Sequence, residues 1–553
     1  MEQAGFLEAA YRGALDASIF ERFPVHVDSE RVRALISAYE DILKEFPAQE
    51  IENLGRVPDE MLQRMAQAGL FGFSVAEEYG GLGLNLWEYL EVIREMARRD
   101  LAVALVSIAH LSIGIKGIQL FGTEAQKEKY LPPAASGDMI FSYALTEPHV
   151  GSDAKHIETT AVFSESEGCY ILNGRKTYIT NANYAGGLTV FAQLDPEHPG
   201  HMGAFIVETH WDGVKIGADM PKMGLKASST AAIHFTNVKV PRENLLGNPG
   251  DGFKIAMTIL NFGRLGLGAA STGLMEQSVK DMVHRARTRT QFKVPIENFE
   301  LIQEKIVKAR AHAFACEAMT TLTAAFLEAS PHRNLAMETS HVKLFGTTRA
   351  WDVLYDALQT AGGSGYLTTQ PYEKRLRDFR VTTIFEGTTE IHSIYPPLFA
   401  IRRMAKEMGE VSKGLWGKVR LLWKELTRPM QWTFPFTDKD FKRASRQAKW
   451  NARFLRYALW ILPALYGKKT ATKEYVLRRL TTLSLYTFAI LAMLARMQKD
   501  LDRGLLQEEH RLLLAYMVEE MKEQRRGCLK LWNTKKERLT ANIYRWIRGA
   551  VSE

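Results

Sequence analysis

The period of the hydrophobic pattern changes twice along this chain, and that restricts its fold more than any other feature. From about Phe141 to Pro241 the sequence runs in short β-branched segments: CYILNGRKTYITNA, LTVFAQLD, GAFIVE and AAIHFTNVKVP, punctuated by Gly, Asn and Asp. That is the composition and spacing of strands. On either side, apolar residues recur three and four apart, as in amphipathic helices. The β block has no alternating helices, so a doubly wound sheet is excluded and a compact β-barrel or sandwich is expected.

The flanks complete the plan. Val32–Phe46 and Pro58–Ala68 read as helices, EEYGGLGLN breaks the pattern, and the nearly apolar Leu105–Phe121 reads as a buried helix. Long helices return at Phe253–Arg287, Phe299–Ala329, Leu335–Ala361 and Ile391–Met404. Leu426–Asp440 holds two prolines and no period, so it reads as a linker, with helices again over Phe441–Arg548. The expected fold is mainly α with a middle β domain: an N-terminal helical domain (1–140), a β domain (141–247), a helical bundle (248–405), a linker (406–440) and a C-terminal helical domain (441–553). Leu480–Ala495 is 16 residues without charge, short for a membrane span, and reads as a buried helix.

Charge is divided unevenly. Residues 406–553 carry 31 Lys+Arg against 15 Asp+Glu, which is +16, so a net +8 for the chain leaves −8 on the rest. A basic helical tail on an acidic body fits an anionic membrane surface, nucleic acid, an acidic protein or the body itself. Basic residues there interleave with Leu529, Leu531, Trp532, Leu539, Ile543, Trp546 and Ile547, as in helices that lie on anionic membranes. Cys169, Cys316 and Cys528 stand singly, which excludes a disulfide framework or a CxxC site and points to a reducing compartment. The first sixteen residues have no apolar stretch of the secretory kind. GxGxxG after a strand, GxxxxGK, GxSxG and HExxH are absent and no histidine cluster has ligand spacing, so hydrolase, P-loop, Rossmann and zinc-enzyme readings lose their evidence and no metal is expected.

Four segments could carry chemistry, and each also has a plain structural reading. Tyr143–Asp153 (YALTEPHVGSD) ends in a turn that can offer N–H groups and a hydroxyl to a ligand, or simply lead into a strand. Lys176–Asn181 (KTYITN) could set an aromatic and a hydroxyl beside a planar ring, or be a strand and turn. Gln359–Tyr366 (QTAGGSGY), followed by Arg375-Leu-Arg-Asp378, has glycines that permit close backbone approach, or that end a helix. In Ile384–Glu390 (IFEGTTE) one carboxylate, Glu386, sits between Phe385 and Gly387. In an apolar pocket such a group has a raised pKa suited to a general base; in a loop it is an ordinary acid.

Together, in this order, these segments resemble the acyl-CoA dehydrogenase family, from about residue 30 to 404. LTEPHVGSD and QTAGGSGYLTTQPYEKRLRD resemble its two signatures, and FEGT resembles its catalytic loop. LSIGIKGIQLFGTEAQKEKYLP, KMGLKASSTA, RTQF and the long helical extension resemble its very-long-chain branch. The resemblance implies FAD-dependent α,β-dehydrogenation of medium- to long-chain fatty acyl-CoA to trans-2-enoyl-CoA, with electrons leaving to an electron-transfer flavoprotein. It implies Glu386 as base. Other members carry the base just before the arginine matching Arg264, but Gly263 there has no side chain to act.

It further implies that Tyr143, Leu145, Thr146, Gly151 and Ser152 line the flavin, with Ser152 also meeting substrate. Tyr178, Ile179 and Thr180 would flank the isoalloxazine. Arg289, Gln291 and Phe292, with Gln359, Gly362 and Gly363, would hold the FAD of a neighbouring subunit, and Thr388 and Glu390 would also touch FAD. Arg264, Phe385 and Gly387 would contact substrate. Lys293 stands where the family has Gly after RTQF, which puts the local turn in question, and Val150 stands where a small residue is usual. A homodimer is implied, in the cytoplasm or, in a eukaryote, the mitochondrial matrix, with peripheral membrane contact through the basic domain and no nucleic acid. An oxygen-using acyl-CoA oxidase, or a non-enzymatic nucleic-acid or assembly protein on the same fold, are the rival readings.

Overall fold

The computed structural model describes residues 5–551 apart from 16–17, 25–28, 196, 199, 331–332, 412–416, 418–419, 421–422, 426 and 435. The chain divides into two compact units: Met1–Val25 with Phe314–Phe345 and Thr389–Glu553, and His26–Ala313 with Gly346–Thr388.

The second unit contains the β block as one eight-stranded sheet. Its strands are β1 Ile140–Ala144, β2 Thr160–Ser164, β3 Cys169–Thr180, β4 Ala185–Gln193, β5 Met202–Glu208, β6 Val214–Ile216, β7 Thr230–Pro241 and β8 Leu245–Gly250. Their order is β6-β7-β3-β2-β4-β5-β8, with β1 pairing β4. Alternating residues such as Leu172, Leu188, Val190, Phe205, Val207 and Ile233 are fully buried and form its core, as the period-two pattern requires.

Helices line this unit as expected, with one difference. The apolar run Leu105–Phe121 is not a single helix. It is Leu101–Ala109, a π-turn over His110–Gly114, and Lys116–Phe121. The wide turn has two local causes. His110 is buried; its Nδ1 accepts the Phe141 N–H at 2.9 Å and its Nε2 faces Ala134 O at 3.1 Å, so burial holds the ring neutral, with a pKa lowered to about 4. A Cβ on Gly114 would lie 2.6 Å from Phe141 O. The ladder gives way to seat this corner on β1. The long helices expected between 253 and 404 form as Gly252–Thr288, Glu300–Ala329, Ala336–Ala361 and Thr389–Val411, the last of which belongs to the first unit.

The first unit contains the basic helices Lys439–Tyr466, Glu474–Asp502, Glu508–Cys528 and Lys535–Val551. Leu480–Ala495 lies within the second of these. That helix and Leu101–Phe121 are long and apolar enough to cross a membrane, yet 89% and 94% of their most apolar windows are buried within the protein. Ala14–Leu15 pairs in parallel with Gln431–Trp432, so the linker read at 406–440 contributes a short strand. Phe6, Leu7, Ala10 and Tyr11 of the Phe6–Tyr11 helix are buried in this unit.

Glu338 anchors that N-terminal helix: its Oε1 accepts the Leu7 N–H at 2.8 Å. Burial raises its pKa from 4.5 to about 7, with the Leu7 N–H and Arg333 pulling down and Glu8 pushing further up. A carboxyl whose folded pKa is raised adds stability that is complete below its unfolded pKa and lost as pH rises through the folded value. Thermal stability should therefore fall between about pH 5 and pH 8 by an increment that Glu338→Gln removes. Melting curves of both proteins across that range check it, and equal slopes would refute it.

Candidate active site

The Ile384–Glu390 loop is built by a sharp local conformation. After the turn Arg380–Thr383, Phe385 N–H bonds Val381 O at 3.1 Å. Glu386 and Gly387 then adopt φ of 55° and 97°, the left-handed region that glycine enters freely and glutamate does not. Glu386 is half-buried. Its carboxylate is aimed at the middle of the Gly252–Thr288 helix: a Cβ on Gly263 would lie 2.5 to 2.7 Å from its carboxyl atoms. The missing side chain at Gly263 is what lets the carboxylate reach the helix backbone.

Two tyrosines feel its charge. Tyr143 donates to Ala256 O at 3.2 Å. Its pKa is raised first by burial and then by the Glu386 charge, with Arg264 opposing. Tyr89 is fully buried, with its pKa raised by burial and again by Glu386, while Ser112 opposes. Lys116 lies over the Tyr89 ring (5.7 Å) and the Phe262 ring (5.1 Å), and burial lowers its pKa to about 8. Tyr89 lies in no motif, and Lys116, inside the LSIGIKGIQLFGTEAQKEKYLP stretch, has nothing on the sequence that pairs it with the Tyr89 ring. Arg264 is half-buried and bonds Asn261 Oδ1 at 3.4 Å.

A second wall joins two of the singled-out segments. Thr177 N–H bonds Thr146 O at 2.9 Å, and Ser142 Oγ donates to Thr180 O at 2.8 Å. Tyr143, Leu145 and Thr146 thereby stand beside Tyr178, Ile179 and Thr180. Leu145 and Ile179 are buried, whereas Tyr178 is 67% exposed at φ 56°. Gly151 and Ser152 are exposed, and a Cβ on Gly151 would meet nothing within 4 Å. An exposed aromatic on a buried pedestal, beside Thr146 and Thr180, fits a flat polar heterocycle such as a flavin. FAD is the cofactor these residues accommodate.

The other family positions lie at the end of the long helix. Thr290–Gln291 and Val294–Pro295 form a hairpin whose two-residue turn puts Phe292 and Lys293 at φ 52° and 68°. Both signs suit the mirror-image turn that favours Gly, and Lys293 forms it all the same. Arg289, Gln291 and Phe292 are exposed, Phe292 at 89%. Gln359, Gly362 and Gly363 are exposed too, at the end of Ala336–Ala361, where Arg285 Nη2 bonds Ala361 O at 3.0 Å. Thr388 is half-buried; Glu390 is exposed and belongs to the other unit. The later half of the second signature is a structural knot. Asp378 accepts the Leu225 N–H at 2.6 Å, and Lys374 bridges Asp378 (2.7 Å) and Asp100 (2.9 Å). Asp100 in turn caps Leu101–Ala109 through the Ala102 and Val103 N–H groups. Among the described residues no group of His, Cys, Asp or Glu could hold a metal, and the three cysteines are buried and form no disulfide.

Models of the acyl-CoA dehydrogenase N-terminal, middle and C-terminal domains match residues 29–138, 142–238 and 250–394. The very long-chain specific acyl-CoA dehydrogenase of Macaca fascicularis mitochondria is 32% identical over 577 aligned positions, covering 100% of this chain and 88% of that protein. The chain belongs to the acyl-CoA dehydrogenase family. An acyl-CoA dehydrogenase of Bacillus subtilis is 39% identical over 67% of this chain and 97% of its own length. The crystal structure of an acyl-CoA dehydrogenase complexed with FAD from Bacillus anthracis superposes with a TM-score of 0.83 at 29% identity, covering 98% of this chain and 94% of that one. As a member of this family the chain is an FAD-dependent oxidoreductase acting on acyl-CoA thioesters.

Because a methyl on Gly263 would meet the movable end of Glu386, Gly263→Ala should displace the carboxylate without unfolding the helix. Flavin reduction by acyl-CoA should slow by roughly a hundredfold, the scale of an ångström-sized misplacement, with FAD content and melting temperature retained. Stopped-flow reduction at the wild-type rate would refute this.

Proposed function

We propose that Glu386 is the base that takes the α-proton of a medium- to long-chain fatty acyl-CoA, giving the trans-2-enoyl-CoA. The observation that carries this reading is the approach of its carboxylate to the bare backbone of Gly263, with its charge felt by the Tyr89 and Tyr143 hydroxyls. An α-C–H is a weak acid, so the base must sit against the carbon and the thioester oxygen must meet donors as charge develops. The Glu386 N–H is the protein donor for that oxygen, and Tyr89, Tyr143 and Phe262 keep water from the base. A bound FAD would supply the hydride acceptor for the β-hydrogen, held by the Tyr143–Ser152 and Tyr178–Thr180 wall. Electrons pass to an electron-transfer flavoprotein, the family's acceptor.

Tyr143, Leu145, Thr146, Gly151, Ser152, Tyr178, Ile179 and Thr180 form the flavin wall, with Ser152 also facing substrate. Phe385 and Gly387 flank the thioester and Arg264 serves the CoA side. Arg289, Gln291, Phe292, Gln359, Gly362 and Gly363 serve the FAD of a second copy in a homodimer, and Thr388 and Glu390 complete the cofactor contacts. The exposure of Phe292 supports this, since so apolar a ring on a hairpin tip calls for a partner. Periodicity supports a domain plan of 1–140, 141–247, 248–405, a linker over 406–440 and 441–553, within which residues 1–25 and 314–345 cluster with 389–553.

The Lys535–Val551 helix has no buried residue. Leu539, Ile543, Trp546 and Ile547 are exposed beside Lys535, Lys536, Arg538, Arg545 and Arg548, with Glu537 the single acid. That combination supports peripheral contact with an anionic membrane surface, from the cytoplasm or, as the names of the eukaryotic relatives indicate for them, in mitochondria.

Glu386→Gln should stay yellow but lose bleaching by acyl-CoA, slowed by roughly 10²- to 10⁴-fold. Reduction of the variant at a comparable rate would remove Glu386 from the role, and rapid reoxidation of the wild type by air would replace the flavoprotein acceptor with oxygen. Sedimentation should give a dimer mass for the full chain and for a chain ending at residue 534, with only the full chain pelleting with phosphatidylglycerol vesicles. A monomer mass would refute the dimer, and equal pelleting would refute the helix's role.

A further inference from the structure

The flavin wall rests on a strained bulge held by a buried ion pair. In β3, Lys176 pairs with Ile233 and Ile179 with Ala231 of β7, so three steps on one strand face two on the other. The extra residue is a bulge, a device that re-aims side chains beside active sites. Within it Tyr178 takes φ 56° and, just beyond, Asn181 takes φ 63°. Two non-glycine residues in the left-handed region within four positions persist only where the surroundings over-determine them.

The surroundings here are specific. At the far end, Asn181 Nδ2 donates to Val106 O at 2.8 Å and its N–H to Ser229 O at 3.0 Å. At the near end stands Lys176, fully buried, whose Nζ donates to Leu145 O at 3.1 Å and to Glu147 Oε1 at 2.7 Å. Glu147 is also buried and accepts the N–H groups of Glu158 and Thr159. One ammonium thus ties the root of the bulge to the backbone of the Tyr143–Thr146 segment and to the turn after it. Burial lowers the Lys176 pKa to about 8, with Glu147 pulling it up, and Glu147, though burial pushes it up, is held below its ordinary value by Lys176. The pair is charged at neutral pH. A buried pair of this kind is seldom kept for stability, since an apolar pair of like volume is often as good or better.

We propose that Lys176 is a positioning residue for the flavin: through Leu145 O and Glu147 it sets the bulge so that Tyr178 and Thr180 meet Tyr143 and Thr146 at the spacing of one planar ring. This rests on the reading of those residues as the flavin wall. Lys176 touches neither substrate nor base, so its effect is on how FAD is held.

Lys176→Met, Leu172→Ala and the double variant Lys176→Met/Glu147→Leu separate position from stability. Leu172 lies four residues earlier in β3, buried in the sheet core, and its truncation costs stability alone. FAD is titrated into each apoprotein by fluorescence quenching, and the visible spectrum, midpoint potential and melting temperature of each holoenzyme are recorded. Lys176→Met should raise the FAD dissociation constant at least tenfold and shift the flavin bands and potential, whereas Leu172→Ala lowers the melting temperature with the spectrum unchanged. The double variant should regain melting temperature but not the affinity or spectrum, and it carries the test if Lys176→Met alone does not fold. FAD affinity within twofold of wild type with an unshifted spectrum in either Lys176 variant would overturn the proposal. Failure of the wild-type apoprotein to bind FAD would instead overturn the flavin-wall reading beneath it.

Discussion

The contact on which the catalytic unit depends is a carboxylate laid against a helix that has no side chain there. Glu386 reaches the Gly252–Thr288 helix only because Gly263 leaves room; a single methyl would come within 2.5 Å. Both sides give up local preference. Glycine inside a helix costs about 0.5–1 kcal/mol relative to alanine, and a glutamate with positive φ costs on the order of 1–3 kcal/mol. No demand of the helix or the loop alone explains either residue. Departures of this kind mark sites where geometry is selected over stability. The neighbours fit that view: Tyr89 and Tyr143 have their phenols stiffened against ionisation by burial and by the glutamate's charge.

The frame that holds the loop is polar. Lys374 sits between Asp100 and Asp378, and the two carboxylates keep it protonated against the pull of burial. Asp100 caps the Leu101–Ala109 helix and Asp378 takes the Leu225 N–H, so one ammonium joins an apolar helix, a β-domain loop and the helix Pro371–Phe379. Gly224 lets that loop approach, since a Cβ there would stand 2.4 Å from Arg377 backbone atoms. This explains why a stretch rich in Arg, Lys and Asp follows the glycine corner of Gln359–Tyr366. Its charges are spent inside the protein, where an unmatched one would be costly.

Periodicity made the larger plan readable. The four longer strands Cys169–Thr180, Ala185–Gln193, Met202–Glu208 and Thr230–Pro241, the long helices after Gly252 and the buried character of Leu480–Ala495 follow from spacing and composition, because burial of one face is a local property of sequence, whereas the other four strands of the sheet carry no such signal. What could not be read depends on partners distant in the chain. The π-turn at His110–Gly114 needs Phe141 and Ala134. Tyr89 comes near Glu386 through helix packing, with Lys116 over its ring, and Glu338 meets Leu7 across 331 positions. The doubt at Lys293 was a fair inference from backbone preference, yet a two-residue hairpin turn tolerates one lysine when the strands and the Ile296 N–H to Arg289 O bond fix its ends.

Backbone strain draws the same map as the motifs. Among the described residues seven non-glycine positions have positive φ: Tyr178, Asn181, Leu225, Asn237, Phe292, Lys293 and Glu386. Tyr178, Asn181 and Glu386 lie in segments that sequence chemistry had singled out, and Phe292 and Lys293 lie in and just after RTQF. Leu225 is fastened by Asp378, which leaves Asn237, a residue type that tolerates this conformation, as the position with no such link. Left-handed backbone in an ordinary domain would scatter among turns and favour glycine and asparagine. Here tyrosine, phenylalanine, lysine and glutamate occupy it, each with a side chain whose chemistry the family likeness uses or whose neighbour it uses. The residues were therefore not chosen for the turns; Asp378 fastens the turn at Leu225, and Gly263 leaves room for the Glu386 side chain.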